Sequence, residues 1–435
     1  MRILLVGINY APDLIGVAKY NVELCESLVA EGHEVRVITA PPYYPAWKIP
    51  PAFKSSYFRS RDVDGVRVTR TPIYVPGHPS GVRRLVHHAS FALTSAAPVL
   101  FEAVSWRPDV MIAVAPSLMS AAFVSIVARC VGAKSWLHVQ DFEVDAAFDL
   151  GLLRNPSLRK WMLRIEAAIL KSFDNVSTIS HAMVERLRIK GLQPDKTAEV
   201  RNWIDTTAIC PGSRATKYRQ QLNLAEGDIV GLYSGTMSNK QGLELVIEAA
   251  IGLERSHPHI HFILAGEGPH KMRLEQLAAG HRNIHFLGLQ PNDSFNQLMA
   301  TADFHLIPQK AEAADLVLPS KLGAIFASAR PVIAMADEDT GLALEVTNAG
   351  LVIPPGDSSA LALAICQLSE APALREYYGE EGRRRALDRW DRRTIVRRWS
   401  EAMTGQGNAA GQTNAGLTGA ASDIGLPVED AVRSP

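Results

Sequence analysis

At 435 residues the chain exceeds one ordinary hydrophobic core and predicts two domains of about 150 to 200 residues. Its 45 Lys and Arg balance 45 Asp and Glu, so no net field draws it to nucleic acid and any basic function must be local. Cys25, Cys130, Cys210 and Cys366 form no CxxC pair and lie near no histidine ligands, which excludes a zinc finger and fits free thiols in a reducing, cytoplasmic setting.

The opening MRILLVGINYAP carries too short an apolar run for a signal peptide and reads as a first buried strand. AKYNVELCESLVAEG follows as a helix closed at Gly32, and EVRVIT, GVRVTR, VMIAVA, KSWLHV and NVSTIS continue a strand series. In residues 78–109, Arg83, Arg84, His87 and His88 stand beside Leu85, Val86, Phe91, Leu93, Val99, Leu100 and Phe101. That pattern suits either a helix packed on a sheet or an interfacial helix at an anionic membrane. Residues 110–128 are long enough and apolar enough to cross a bilayer, but Pro116 and Ser117 divide them into a strand and a buried helix.

A second series, IVGLYSG, IHFILAG, IHFLG, DFHLIP, PVIAM and LVIPP, again alternates with helical patterns. Near-continuous apolar strands with helical crossovers predict α/β architecture, with two doubly wound parallel sheets. The expected domains are 1–205 and 206–382, followed by one basic closing helix over 383–403 that crosses back to the first domain. Residues 404–435, rich in Gly, Ala, Asn and Ser, read as a disordered tail.

Ligands of such sheets sit beyond the carboxyl ends of the strands. The first loop, GINYAPDLIGVAKY, lacks GxGxxG, yet Gly16 precedes a helix and suits an anion there; a purely geometric glycine is the competing reading. KSWLHVQDFEVDAAFDLG places His138 at a strand end, followed by Asp141, Glu143 and Asp145. These are candidates to meet sugar hydroxyls, against a packed histidine and a solvated acidic loop. YSGTMSNKQG offers amides near Gly235 and the side chain of Lys240, and LVLPSKLGAIFASARPVIA offers Ser320 and Lys321. Two lysines at strand ends of one sheet can converge on a diphosphate, although a lone lysine is ordinarily a solvated surface group.

The ordered series GINYAPDLIGVAKYNVELCESLVAEGHEVRVIT, LHVQD, RNWID, YSGTMSNKQGLE, LAGEGP, FLGLQPNDSFNQLMATADFHLIP and LPSKLGAIFASARPVIA resembles the retaining GT-B glycosyltransferases of family four. The likeness extends over about residues 1 to 403 and falls nearest the exopolysaccharide, capsule, O-antigen and colanic-acid branch. It implies two Rossmann-like domains facing across a cleft, the second holding a nucleoside-diphosphate sugar and the first a glycan or lipid-diphosphate-linked acceptor. It further places Gly16 near the donor phosphate and His138 near the donor sugar, with Asp141 orienting hydroxyls and Lys321 meeting the diphosphate. Gly235, Thr236, Lys240, Gln241, Glu267 and Ser320 complete the donor set.

The sequence departs from the family pattern at two places. Thr236 and Gln241 stand where its arginine and lysine are common, leaving Lys240 one register away. The usual EX7E glutamates fall at Ala324 and near Leu316, beside Asp315, so Glu345 becomes the candidate for the ribose. The resemblance implies transfer with retention, attack coming from the face the diphosphate leaves. No DxD stands where a metal-dependent transferase needs it, so no metal is expected. A sugar-nucleotide epimerase of the same architecture and a non-catalytic sugar-nucleotide binder are the alternatives. Expected partners are the donor, the acceptor and the inner membrane face, with no nucleic acid.

Overall fold

The computed structural model describes residues 1–13, 16–44, 46–55, 57–78, 81–144, 156–310 and 318–405. They form two compact units, one of Met1–Val200 together with the chain from Val396 onward, the other of Arg201–Ile395. The first runs β1 (Arg2–Gly7), α1 (Val17–Ala30), β2 (Glu34–Thr39), β3 (Ser60–Val63), β4 (Val66–Arg70), α2 (Gly81–Ser105), β5 (Val110–Ala115), α3 (Leu118–Val131), β6 (Lys134–Val139), α4 (Pro156–Ser172), β7 (Asn175–Thr178), α5 (His181–Ile189) and β8 (Thr197–Glu199). Its sheet has the order β3-β4-β2-β1-β5-β6-β7-β8. Every pairing is parallel except β3 on β4.

Local sequence explains these elements. All six residues of β5 are buried, as a strand covered on both faces requires. Ala18, Val22, Cys25 and Leu28 bury one face of α1. Its end closes as expected: Gly32 takes φ 84°, and the His33 amide donates to the Leu28 carbonyl at 3.0 Å. Residues 110–128 resolve into β5 and the start of α3, and no helix among the described residues is long and apolar enough to cross a membrane. Two strands escape the apolar pattern. β8 has three residues, and β3 is polar and largely exposed, joined to β4 by an Asp64-Gly65 turn with φ 52° and 79°. That dipeptide is a hairpin signal in the sequence.

The second unit contains α6 (Lys217–Gln221), β9 (Ile229–Ser234), α7 (Leu243–Leu253), β10 (Ile260–Ala265), α8 (Lys271–Leu277), β11 (Ile284–Leu287), α9 (Asn292–Thr301), β12 (Phe304–Ile307), α10 (Lys321–Ala327), β13 (Val332–Met335), α11 (Gly341–Val346), β14 (Gly350–Ile353), α12 (Ser358–Glu370) and α13 (Pro372–Arg389). Its sheet is wholly parallel in the order β11-β10-β9-β12-β13-β14. Tyr233, Phe262 and Phe304 are fully buried, and Gly231 admits the Phe304 ring, whose nearest carbon lies 2.7 Å from where a Cβ would be. Connectivity reverses between β9 and β12, which opens a crevice beyond their carboxyl ends.

The single closing helix expected over 383–403 is broken. α13 ends at Arg389, and α14 (Arg392–Thr404) starts afresh. Asp391 accepts from the Thr394 amide at 3.0 Å and from Thr206 Oγ1 at 2.5 Å, which caps the new helix. Trp390 turns edge-on against Phe326. The end of α14 packs in the first unit, where Trp399 lies 6.0 Å from Trp136 and Ser400 bonds to His33 at 3.0 Å. Residues 406–435, expected as a tail, lie outside the described residues.

Candidate functional site

The switch point of the second unit is built by two interlocked loops. Beyond β9 and β10 the Gly235 amide donates to the Ala265 carbonyl and the Met237 amide to the Glu267 carbonyl, both at 2.9 Å. Gly266 lies so close that a Cβ on it would sit 1.9 Å from the Gly235 oxygen, and its φ of 147° is one that L side chains avoid. The glycines of LAGEGP therefore hold the β9 loop in place. One expectation is corrected here: the Gly235 N–H is already engaged, so Gly235 leaves room above it rather than offering a donor.

That room is occupied by Lys321. A Cβ on Gly235 would fall 3.2 Å from Lys321 Nζ, and the ammonium lies 3.8 Å from the centroid of the Tyr233 ring. The Tyr233 hydroxyl donates to the Thr236 carbonyl at 2.7 Å, which fixes the ring. Nζ is buried and has no hydrogen-bond partner among the described residues, although Lys321 as a whole is half-buried. Burial pushes its pKa down to about 7. The sequence thus brings Gly235 and Lys321 together through strands far apart in the chain.

The other donor candidates divide. Thr236 is exposed in the β9 loop, Ser320 is exposed directly before α10, and Gln241 is half-buried at the end of the short turn Asn239–Gln241. The Lys240 side chain, Asp145, Asp315 and Leu316 lie outside the described residues. Lys310, directly past β12, was not singled out by the sequence, yet its ammonium binds Asn239 Oδ1 at 2.6 Å and ties the β12 loop to the β9 loop. Glu267 is exposed and paired with Lys271 at 2.7 Å. Glu345, the candidate for the ribose, is already engaged by arginines. It is buried between Arg201 at 2.8 Å and Arg389 at 3.1 Å, while Arg385 bonds its carbonyl at 2.7 Å, so it clamps α11 to α13.

In the first unit Gly16 precedes α1 with φ 60° and ψ −136°, and no side chain caps the helix. His138 meets a different fate from the catalytic place expected of it. The residue is 3% exposed inside β6, with its ring 4.9 Å from Trp399, Nδ1 on Ser177 Oγ and Nε2 on the Gln140 amide, each at 2.9 Å. Burial pushes its pKa down to about 3, and the neutral ring is held at both nitrogens. Glu143 accepts from the Ser117 and Leu118 amides at the start of α3. Asp141 remains exposed in the described part of the acidic loop.

A polar and aromatic cluster that the sequence reading missed lies beyond β1, β2 and β4. Asp13 Oδ2 is buried without a hydrogen-bond partner among the described residues, and burial raises the Asp13 pKa against the pull of the Tyr43 backbone and Arg70. Tyr43, Trp47 and His87 stack within 4.7 to 5.5 Å of one another, with His88 beside them. Burial lowers both histidines to about 4. They are therefore neutral, which corrects their reading as basic groups for lipid; Arg83 and Arg84 remain exposed on α2. The aspartate in GINYAPD is the one sequence signal of this cluster.

Comparison with known proteins places this arrangement. Residues 16–203 match the glycosyl transferase 4-like domain and residues 228–371 the glycosyl transferases group 1. The putative colanic acid biosynthesis glycosyl transferase WcaI of Escherichia coli K12 is 41% identical over 349 residues, 79% of this chain and 85% of that one. Sucrose-phosphate synthase from Thermosynechococcus elongatus superposes with TM-score 0.68 at 19% identity, covering 94% of this chain and all of its own. Anabaena HepE in complex with UDP-glucose does so with TM-score 0.63 at 18% identity, covering 93% of this chain and all of its own. Two Rossmann-like sheets, the order of motifs along them and a relative of this identity agree: the chain belongs to the GT-B glycosyltransferases and is a glycosyltransferase enzyme.

Proposed function

We propose that the enzyme moves a sugar from a nucleoside-diphosphate sugar to a glycan or lipid-diphosphate-linked acceptor, with retention at the anomeric carbon, in surface-polysaccharide assembly. The observation that carries this reading is the Lys321 ammonium, buried beside Gly235 at the switch point with no hydrogen-bond partner among the described residues. A cation left uncompensated in the free protein is one that a ligand's diphosphate completes. The donor bound by HepE and the pathway in the name of the E. coli relative support the same class.

As the anomeric carbon–oxygen bond breaks, charge grows on the leaving diphosphate, and Lys321 is placed to meet it. One preorganised donor of this kind is worth on the order of 100- to 1,000-fold in rate. The acceptor hydroxyl attacks from the face the diphosphate leaves, and its proton passes to a phosphate oxygen. Asp141 and the Asp13 cluster orient hydroxyls of the two sugars. Lys321 supplies the electrostatic part a metal plays elsewhere, so activity should survive chelation.

Docking on a membrane surface belongs to this reading. α2 exposes Val82, Val86, Leu93, Leu100, Phe101 and Val104 at helical spacing while burying Phe91 and Val99 on the other side. Arg83 and Arg84 flank the start of that apolar stripe.

The test is transfer from labelled UDP-, GDP- and ADP-sugars to lipid extracted from a polysaccharide-producing bacterium. Label should enter the lipid only with enzyme present, and NMR of the product should show the donor's anomeric configuration. Donor converted to another sugar nucleotide without lipid would indicate an epimerase, and no turnover of any donor would contradict the proposal.

A further inference from the structure

The second unit carries another cationic site, at the amino ends of its strands, whereas Lys321 stands beyond their carboxyl ends. Asp303 and Pro331 stand directly before β12 and β13 and wall a pocket of about 670 Å³ together with Arg214, Arg330 and Arg375. Asp303 is buried and fully engaged. It pairs with Arg214 and, at 2.6 Å, with Arg219, and it accepts from the Val230 amide at 2.9 Å. Arg330 and Arg375 bond to carbonyls instead. Arg330 Nη2 donates to Gly212 at 3.0 Å and Ala300 at 3.3 Å, and Arg375 Nη1 donates to Ser369 at 2.8 Å. Arg330 Nε is buried with no partner among the described residues.

Two guanidiniums thus share one carboxylate, and the two beside them meet carbonyl dipoles, which do not neutralise their charge. Burial, reinforced by Arg214, Arg219 and Arg375, lowers the Arg330 pKa against the pull of Asp303. The guanidinium fork matches phosphate oxygens in pairs; Arg383 adds a further guanidinium to the wall, while Arg384 there is paired with Glu381 at 2.8 Å. Glu376 and Glu380, both exposed in the same lining, oppose a long anionic polymer and favour a compact ligand. We infer that this pocket binds a compact phosphate-bearing polyanion, a diphosphate group or its equivalent, at a site separate from the sugar donor.

The experiment titrates the full chain with inorganic diphosphate by calorimetry at low salt, in wild type and in Lys321→Met. Binding should persist in Lys321→Met and weaken at least tenfold on adding Arg330→Gln/Arg375→Gln. Because that variant can perturb packing, Glu376→Gln/Glu380→Gln in the same background gives the opposite sign at exposed positions, tightening binding roughly two- to fivefold. Loss of all diphosphate binding in Lys321→Met overturns the inference and leaves the donor reading standing. Binding that persists there but ignores both pocket variants overturns it as well. Nucleotide binding unchanged by Lys321→Met is the separate failure of the donor reading.

Discussion

Replacing Lys321 by methionine should stabilise the empty protein and disable it. The drop from the ordinary 10.5 to about 7 corresponds to at most about 5 kcal/mol of penalty on the charged form. The Tyr233 face returns roughly 0.5 to 2 kcal/mol, and the half-buried position of the residue screens more. We therefore expect a net gain of about 1 to 2 kcal/mol for Lys321→Met, or about 2 to 8 °C in the melting of a unit of this size. The sign follows from linkage: below pH 7 the lysine is protonated folded and unfolded, so the penalty is fully present. Between pH 7 and 10.5 only the unfolded chain holds the proton, and the penalty fades as pH rises. Thermal melts at pH 6 and pH 9.5 should show the variant's advantage at the lower pH and little at the higher, with transfer reduced on the order of 100-fold or more. A variant less stable than wild type at pH 6, or one with full activity, would refute the reasoning.

Affinity for a nucleoside diphosphate should fall as pH rises through about 7 in the free protein, where Lys321 loses its charge; a flat calorimetric profile from pH 6 to 9 counts against its contact with phosphate. Gly266→Ala should destabilise the second unit by about 2 to 4 kcal/mol, because its methyl meets the Gly235 carbonyl and φ is unfavourable. An unchanged urea midpoint would show that the loops do not interlock. Glu345→Gln should destabilise by about 3 kcal/mol, leaving Arg201 and Arg389 without their carboxylate, while the folded fraction retains wild-type donor affinity. Weakened donor affinity in folded protein would restore Glu345 to the donor site. Arg83→Glu/Arg84→Glu should release the protein from anionic vesicles in flotation at low salt, and wild type that stays soluble under those conditions removes α2 from the membrane.

The strand series was legible because buried parallel strands are apolar at nearly every position, as in VMIAVA and IHFILA. The hairpin strand SRDV was not, since an exposed edge strand has no apolar signature. Lys321 was legible as a cation at a helix start, but its meeting with Gly235 and Tyr233 depends on β12 lying beside β9, a neighbour relation that no local spacing encodes. Glu345 and His138 were drawn into the site by position along the motif series alone. Their tertiary partners are not encoded in that series: two arginines enclose the first, and Trp399, some 260 residues away, helps cover the second. The break at Trp390 was hidden because Asp391 acts as a helix cap only when Thr394 follows it in the new turn.

The most direct measurement is calorimetric titration of wild type and Lys321→Met with UDP, GDP and ADP at pH 6.5. One nucleotide should bind wild type and bind the variant at least tenfold more weakly, with both proteins folded by circular dichroism. Binding of none of the three to wild type, or equal binding to both proteins, contradicts a sugar-nucleotide site built on Lys321.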